Sequence, residues 1–511
     1  MMPAGGMSLS ERRVSAAVTR LVGGGAALLL ASAAGNALNY IFGMFVARAL
    51  GAESFGLYAI GLTVFNVLAL FAPLALDVAV IKFVSGQLSA GQMGRARRTV
   101  IGAGVIAVVS GLLAAVGLAL VAPWLSSSLY HKPALSGVLV WWAAALPCVA
   151  LTTVLLGALQ SFQTVRYTVW IKYIWEPAGK FALAALAVAL GLGLYGVLGA
   201  IVSVLAVSAL IALACVGRAL PHDGSRPDQA TVAFPAMLTF SGPLIISNLF
   251  GVLAPRSDIL ILGYWVDAQQ VGIYNAAFQT AAIIALVIGA LDTAMAPIAG
   301  SLIGGADPVP LKSLYQVTSR WALTLTAPIF VVMAVWGSDI LTLFGPDFAL
   351  GASCLVLLAV AQWFNAAAGA TSSLILMSGH SRVIMLNSIG IGVLLVAANL
   401  ALIPRYGILG AAIASSACQI VVSFIRVAQV WHLQRILPFT GSMMKTVSAA
   451  LIAAAVGWVL KGELDGGLAA QCLLALAVLG LFGGALFLFG FDPDDTATAS
   501  GLWMRLAMRR S

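Results

Sequence analysis

Tyr195-Gly196-Val197-Leu198-Gly199-Ala200 is written a second time, with one conservative change, as Tyr406-Gly407-Ile408-Leu409-Gly410-Ala411, an offset of 211. The echo is not isolated. Phe55-Gly56-Leu57-Tyr58 returns as Val271-Gly272-Ile273-Tyr274 at an offset of 216, and Leu76-Asp77 returns as Leu291-Asp292 at an offset of 215. Three matches in order, at nearly constant spacing, mark an internal duplication.

What is duplicated is apolar. Of the 511 residues 61% are hydrophobic and 8% are charged, and the mean hydropathy is +1.05. A soluble domain carries ~25% charged residues to cover its surface. This chain does not, so its solvent is lipid and it is a polytopic membrane protein. A bilayer core of ~30 Å takes ~20 apolar residues per helix. Fourteen runs qualify, near 22–47, 55–80, 99–122, 137–160, 168–191, 195–217, 234–262, 271–298, 319–337, 350–377, 383–403, 408–430, 443–460 and 467–490. Glu176 and Lys180 interrupt the fifth, and Arg320 flanks the ninth. The first run follows Arg12, Arg13 and Arg20 and contains Ala31-Ser32-Ala33, which looks like a signal-peptide cleavage site. It continues to Val46, long enough to span, and is read as a retained helix.

Each copy of the repeat holds six runs. An even number brings both copies into the membrane with the same orientation, so their symmetry axis lies along the membrane normal. The predicted fold is all-α with about fourteen transmembrane helices: two six-helix lobes plus two C-terminal helices. The expected divisions are a tail over 1–21, an N-lobe over 22–217, a linker over 218–233, a C-lobe over 234–430, a helix pair over 431–490 and a tail over 491–511. The linker is rich in Pro, Asp and Gly.

Charge asymmetry sets the orientation. Of 26 Lys and Arg, twenty fall on one set of loops, five (Arg48, Lys132, Arg256, Arg405 and Lys461) on the other, and Lys180 stays within a run. Both termini are therefore expected in the cytoplasm. The formal charge of +9 is a topology signal here and does not point to nucleic acid. Trp124, Tyr130, Trp141, Trp142, Tyr264 and Trp265 stand at run ends, where half-wet rings anchor helices. Cys148, Cys215, Cys354, Cys418 and Cys472 all lie within apolar runs and read as buried thiols, not as a disulfide framework or a metal site.

The motifs of catalysis are missing from the sequence. It holds no G-x-x-x-x-G-K-[ST], no H-E-x-x-H and no paired cysteines. His131, His222, His380 and His432 sit in or near loops, and Gly390-Ile391-Gly392 reads as helix packing. The loops are too short for a catalytic domain. Transport is expected, with two lobes rocking about a central cavity to give alternating access. No cofactor is expected, and coupling to H⁺, Na⁺ or the membrane potential is left open.

Charges within spans are then the informative residues, since each costs ~2.5–3.5 kcal/mol at a helix centre. Arg48 ends the first span; Asp77, with Lys82 beyond it, ends the second. Lys172, Glu176 and Lys180, spaced i, i+4, i+8, are predicted to form one stripe of the fifth. Arg256 and Asp258 lie in the seventh span, two residues apart and so on different helix faces, and Asp292 lies in the eighth. Pro243 and Pro255 break the backbone ladder around Arg256, which is tolerated beside a cavity. For Arg48 and Lys82 a snorkelling side chain at the interface is an equal alternative. For Asp77 and Asp292 the plain alternative is pairing with cations at the cytoplasmic ends.

These residues resemble a family. Phe45-Val-Ala-Arg-Ala-Leu-Gly-Ala-Glu-Ser-Phe-Gly-Leu-Tyr58 resembles the first hairpin of bacterial polysaccharide flippases of the Wzx/PST type, within the MATE-like MOP superfamily. Arg256-Ser-Asp-Ile-Leu-Ile-Leu-Gly263 with Val271-Gly-Ile-Tyr274 is similar to the start of that family's second lobe, and Leu402-Ile-Pro-Arg-Tyr-Gly-Ile-Leu-Gly-Ala-Ala411 to its C-terminal signature. The resemblance implies an exporter in the bacterial inner membrane that carries an undecaprenyl-pyrophosphate-linked oligosaccharide to the outer leaflet, for O-antigen, capsule or exopolysaccharide. A polysaccharide polymerase and glycosyltransferases are the implied partners. Arg48, Arg256 and Lys180 are the candidate cations for the pyrophosphate, with Asp258, Glu176, Lys172, Asp77 and Asp292 supporting or coupling. The alternatives are a lipid II flippase of the MurJ type, a cation-coupled MATE-like drug antiporter, and a non-transporting scaffold for a polysaccharide synthase. The antiporter would want an acid deep in an early span, where the first offers only Asn36 and Asn39.

Overall fold

A computed structural model describes residues 9–162, 166–220, 235, 237, 239, 241, 256–303, 307, 309–463 and 467–489. Among these residues there is helix and no strand. Lipid offers no partner for an amide, so each span must satisfy its backbone internally. Among the described residues, ten helices are long and apolar enough to cross a bilayer. Much of their surface is bare hydrocarbon, as at Leu113, Leu120 and Leu488. In water such a face would be an aggregation site; against acyl chains it costs nothing.

Two of the helices are too long for one crossing. α1 (Leu9–Phe71) has 63 residues and the C-terminal-half helix Ser381–Gln434 has 54, roughly 95 and 80 Å at 1.5 Å per residue. Each is two apolar runs joined at a glycine: Gly51 has φ 79 and ψ 170, and Gly407 has φ 56 and ψ −131. Only glycine takes up such backbone without strain. Counted on both sides of these two breaks, the ten helices contain twelve of the fourteen expected runs. The fifth is divided between two kinds of helix, described below. The seventh, with Pro243 and Pro255, falls largely outside the described residues, as do 221–233 of the expected linker and the tail over 491–511.

The chain separates into two compact units, Met1–Leu253 and Ala254–Ser511. In the first, α2 (Leu76–Ser89), α3 (Met93–Trp124) and α4 (Leu135–Gln160) bury a core that includes Leu76, Val80, Val100, Val154 and Leu159. α1 and α2 are separated by Pro73-Leu74-Ala75, whose last two residues are left-handed. The carbonyls freed there are taken up by side chains: the Ser110 hydroxyl donates to Ala72 O, and the Ser241 hydroxyl donates to Ala75 O at 3.2 Å. Ser241 and Met237, from the seventh run, thus pack within the first unit. The division between the two units falls within that run.

The fifth run starts as a π-helix, Val169–Trp175, and continues as α5 (Glu176–Ala189). Pro177 has no N–H to give the preceding turn, so the normal ladder cannot run through the junction. α6 (Gly193–Ala219) completes the unit.

The second unit contains α7 (Ser257–Trp265), α8 (Ala268–Leu302), α9 (Val309–Thr342), α10 (Ala352–Ala368), the short α11 (Thr371–Met377), α12 (Ser381–Gln434), α13 (Gly441–Glu463) and α14 (Leu468–Phe489). The last two helices, outside the repeat, are held to α9. Thr324 and Thr446 hydroxyls are 3.1 Å apart, and Trp336 Nε1 donates to Gln471 Oε1 at 2.9 Å. Arg320, counted above as a loop cation, is buried at 5% exposure and turns its guanidinium toward Ser442, 3.5 Å away. The five cysteines are free; Cys354 and Cys418 are buried as expected, Cys148 and Cys215 are half-buried, and Cys472 is exposed on the apolar α14.

Gly407→Val should cost about 1–3 kcal/mol of stability, the price of forcing a side chain into a sparsely populated backbone region. Thermal unfolding of the purified protein in detergent measures this; an unchanged midpoint would show that the break does not require glycine.

Candidate functional site

In the first unit the expected stripe is only partly formed. Glu176 and Lys180 make an ion pair, Nζ to Oε2 at 3.5 Å, with Glu176 buried and the Lys180 side chain 19% exposed. Lys172 does not continue the line. It lies in the π segment, where hydrogen bonds run i to i+5 and four residues fall short of a full turn. Lys172 is within electrostatic range of both Asp77, in the first turn of α2, and Lys180. Among these residues only Glu176 and Lys180 make an ion pair.

Phe181, next to Lys180, packs on Phe45 of α1 with ring centroids 5.1 Å apart. Arg48 is three residues beyond Phe45. The contact sets Arg48 and Lys180 on adjoining helices, about four residues or roughly 6 Å apart in depth. Arg48 is exposed, and the Glu176–Lys180 pair is not.

In the second unit a polar cluster is built around Asp258, which is 1% exposed. Its Oδ1 accepts from the Ile259 N–H at 2.7 Å, and its Oδ2 accepts from the Tyr274 hydroxyl at 2.5 Å. The Tyr274 oxygen is 3.4 Å from Ser415 Oγ. One carboxylate thus links α7, α8 and α12. The repeat shows how asymmetric this is. At the offsets of 216 and 211, Asp258 and Ser415 correspond to Phe42 and Val204 of the first unit, both buried and apolar.

Arg256 stands beside this cluster. Its guanidinium lies over the Phe278 ring, 5.5 Å from the centroid, in a cation–π contact. Tyr274 and Phe278 are one turn apart on α8, with centroids at 6.3 Å. Arg256 and Asp258 therefore address the same face of α8 and interact electrostatically, contrary to the helical-spacing expectation. The reason is local: Arg256, at φ −114 and ψ 0, precedes the first turn of α7, so helix spacing does not govern it. Among the described residues, no carboxylate lies within ion-pair distance of Arg256, and the side chain is half-buried.

Asp292 faces Ser373 of α11 and Arg426 of α12. The two repeat-related aspartates, Asp77 and Asp292, thus each have a cation of their own unit within electrostatic range, Lys172 and Arg426. Arg426 was counted in the sequence as a loop charge; it lies within α12. Tyr274, Ser415 and Arg426 carried no local sequence signal of these roles, although Tyr274 belongs to the repeat. Among the described residues, no group of three His, Cys, Asp or Glu is placed to hold a metal ion.

The polysaccharide biosynthesis protein family matches residues 21–302, and the MatE family matches residues 243–403. Two curated relatives come from Haloferax volcanii. The probable flippase AglR is 29% identical over 168 residues, 31% of this chain and 34% of that protein. The probable low-salt glycan biosynthesis flippase Agl15 is 22% identical over 185 residues, 35% of this chain and 39% of that protein. The chain thus spans little more than a third of the length of the curated relatives it matches. Among solved structures, the lipid II flippase MurJ in an inward closed conformation superposes with a TM-score of 0.68 at 13% identity, covering 90% of this chain and 98% of MurJ. An inward-facing MATE multidrug transporter of the MOP superfamily gives 0.63 at 14% identity, covering 80% and 99%.

The fold is accordingly the one shared by MurJ and the MATE transporter. Within it, the chain belongs to the polysaccharide biosynthesis protein family, whose match covers more than half its length.

Removing the phenol in Tyr274→Phe leaves a buried acceptor unmet and should lower stability by about 1–3 kcal/mol, read as a fall in the thermal midpoint. Lys180→Met combined with Glu176→Gln, which leaves no buried charge unpaired, separates two roles in the first unit. If the Glu176 pair is scaffolding, export by a well-expressed variant stays normal; if Lys180 binds an anionic head, export is lost.

Proposed function

We propose that the protein is a flippase that moves a polyprenyl-pyrophosphate-linked oligosaccharide across the cytoplasmic membrane by alternating access, supplying cell-surface polysaccharide synthesis. Arg256 carries this reading. It is a cation within an apolar span, held by a ring face and not neutralised by an ion pair among the described residues, beside a buried polar anchor. That is the arrangement an anionic pyrophosphate needs, since the guanidinium edge stays available for its oxygens. The lipid tail can remain in the bilayer throughout. Arg48 is the second cation proposed for the head group, and Lys180 the third. Family membership and the flippase relatives support the substrate class.

On this reading both termini are cytoplasmic, and the partners are the glycosyltransferases that build the oligosaccharide and the polymerase that consumes it. A lipid II flippase is the second reading, favoured by the superposition on MurJ over nearly its full length. The two separate on depletion of the protein. Loss of surface polysaccharide with continued growth supports the first, and lysis supports the second.

Arg256→Ala should reduce polymer export at least ~10-fold, the effect of about 1.4 kcal/mol or more, with protein abundance in the membrane unchanged. Arg256→Lys should restore part of it, because a point charge still attracts phosphate without the bidentate fork. Normal export by Arg256→Ala would make the residue an interface anchor.

A further inference from the structure

The second unit contains a pocket with charged residues in a largely apolar wall, for which flipping supplies no use. It is a cavity of about 750 Å³ between α9, α10 and α13, with Ser338, Ser353, Val356, Trp458, Lys461 and Glu463 in its wall. That volume lies within the roughly 300–1,000 Å³ range of small-molecule sites. Its depth follows from the sequence: the apolar run of α13 stops at Leu460, and Lys461 and Glu463 come next. The pocket thus sits at the end of a span, where head groups are found.

The charges of the pocket are of both signs and do not cancel. Lys461 Nζ donates to the Asp339 carboxylate and to Val335 O at 3.1 Å, the carbonyl next to the kink of α9 at Trp336. An ammonium has three donors, so one is left for a ligand. Glu463 is exposed and, among the described residues, has neither hydrogen-bond nor ion-pair partner. Two carboxylates thus stand against one ammonium. Beside them Trp458 is 73% exposed and offers an indole, the best cation–π ring.

We propose that this pocket binds the head group of an ethanolamine phospholipid. The ligand's ammonium sits between the Glu463 carboxylate and the Trp458 ring. Its phosphodiester oxygens accept from the remaining Lys461 donor and from the Ser338 and Ser353 hydroxyls. An anionic glycerol head group would bring no cation to Glu463 and would add to the negative excess. Val356 and Val459 continue the wall as hydrocarbon, which suits the first carbons of an acyl chain and fits a lipid better than a soluble phosphoethanolamine. Because α13 lies outside the repeat and α9 within it, the bound head group ties the extra helix pair to the second unit.

The test uses the full-length protein in mild detergent with equal amounts of dioleoyl phosphatidylethanolamine and dioleoyl phosphatidylglycerol, read by native mass spectrometry. The wild type should retain the ethanolamine lipid about fivefold over the glycerol lipid, the scale of one partly exposed charge pair. Glu463→Gln, a change at an exposed side chain, should bring the two near parity, and Glu463→Asp should keep the preference. Equal retention by the wild type, or an undiminished preference in Glu463→Gln, overturns the proposal. Displacement of the lipid by millimolar glycerophosphoethanolamine overturns its lipid part and assigns the pocket to a soluble ligand.

Discussion

A bilayer core accepts neither an unpaired amide nor an unpartnered charge, and that constraint orders this molecule. It makes the described residues helical, and it dictates what happens wherever a helix is interrupted. At Pro73-Leu74-Ala75 the freed carbonyls receive serine hydroxyls from other helices. At the Trp336 kink the Val335 carbonyl receives Lys461. Both of these irregularities are matched by side chains brought from elsewhere in the same unit, which is how irregular backbone survives at membrane depth.

The same constraint governs the buried charges, and it separates the two units. The first pairs Glu176 with Lys180 and sets Lys172 within electrostatic range of Asp77. The second holds Asp258 by a phenol and a backbone N–H, and leaves the nearby Arg256 over a ring. In the first unit the positions corresponding to Asp258 and Ser415 are a phenylalanine and a valine. The duplicated fold thus carries a buried polar cluster in one copy and apolar packing at the matching positions of the other. The asymmetry supports giving Arg256 the leading part in the proposed anion binding.

Much of this was legible in the sequence, and the parts that were not share a cause. The repeat, the runs and the Glu176–Lys180 pair follow from spacing and from the expense of charge in lipid. The departure of Lys172 from its stripe required knowing that Pro177 follows a π turn, which apolar periodicity does not show. The placing of Arg256 and Asp258 on one face depended on Arg256 lying before the helix, and boundaries are the least readable feature of a run. Tyr274 and Ser415 are 141 residues apart, so their meeting leaves no local trace. Arg320 and Arg426 were counted by side of membrane, and that count cannot tell a loop residue from one inside a helix end.

The most direct test of the flippase reading is transport itself. The purified protein, reconstituted into liposomes carrying a polyprenyl-pyrophosphate oligosaccharide, is assayed by a membrane-impermeant glycosidase added outside. Flipping predicts that nearly all of the oligosaccharide becomes cleavable with time, against about the outer-leaflet half in protein-free liposomes. Cleavage that stops at the outer-leaflet fraction with correctly folded protein present would contradict the account.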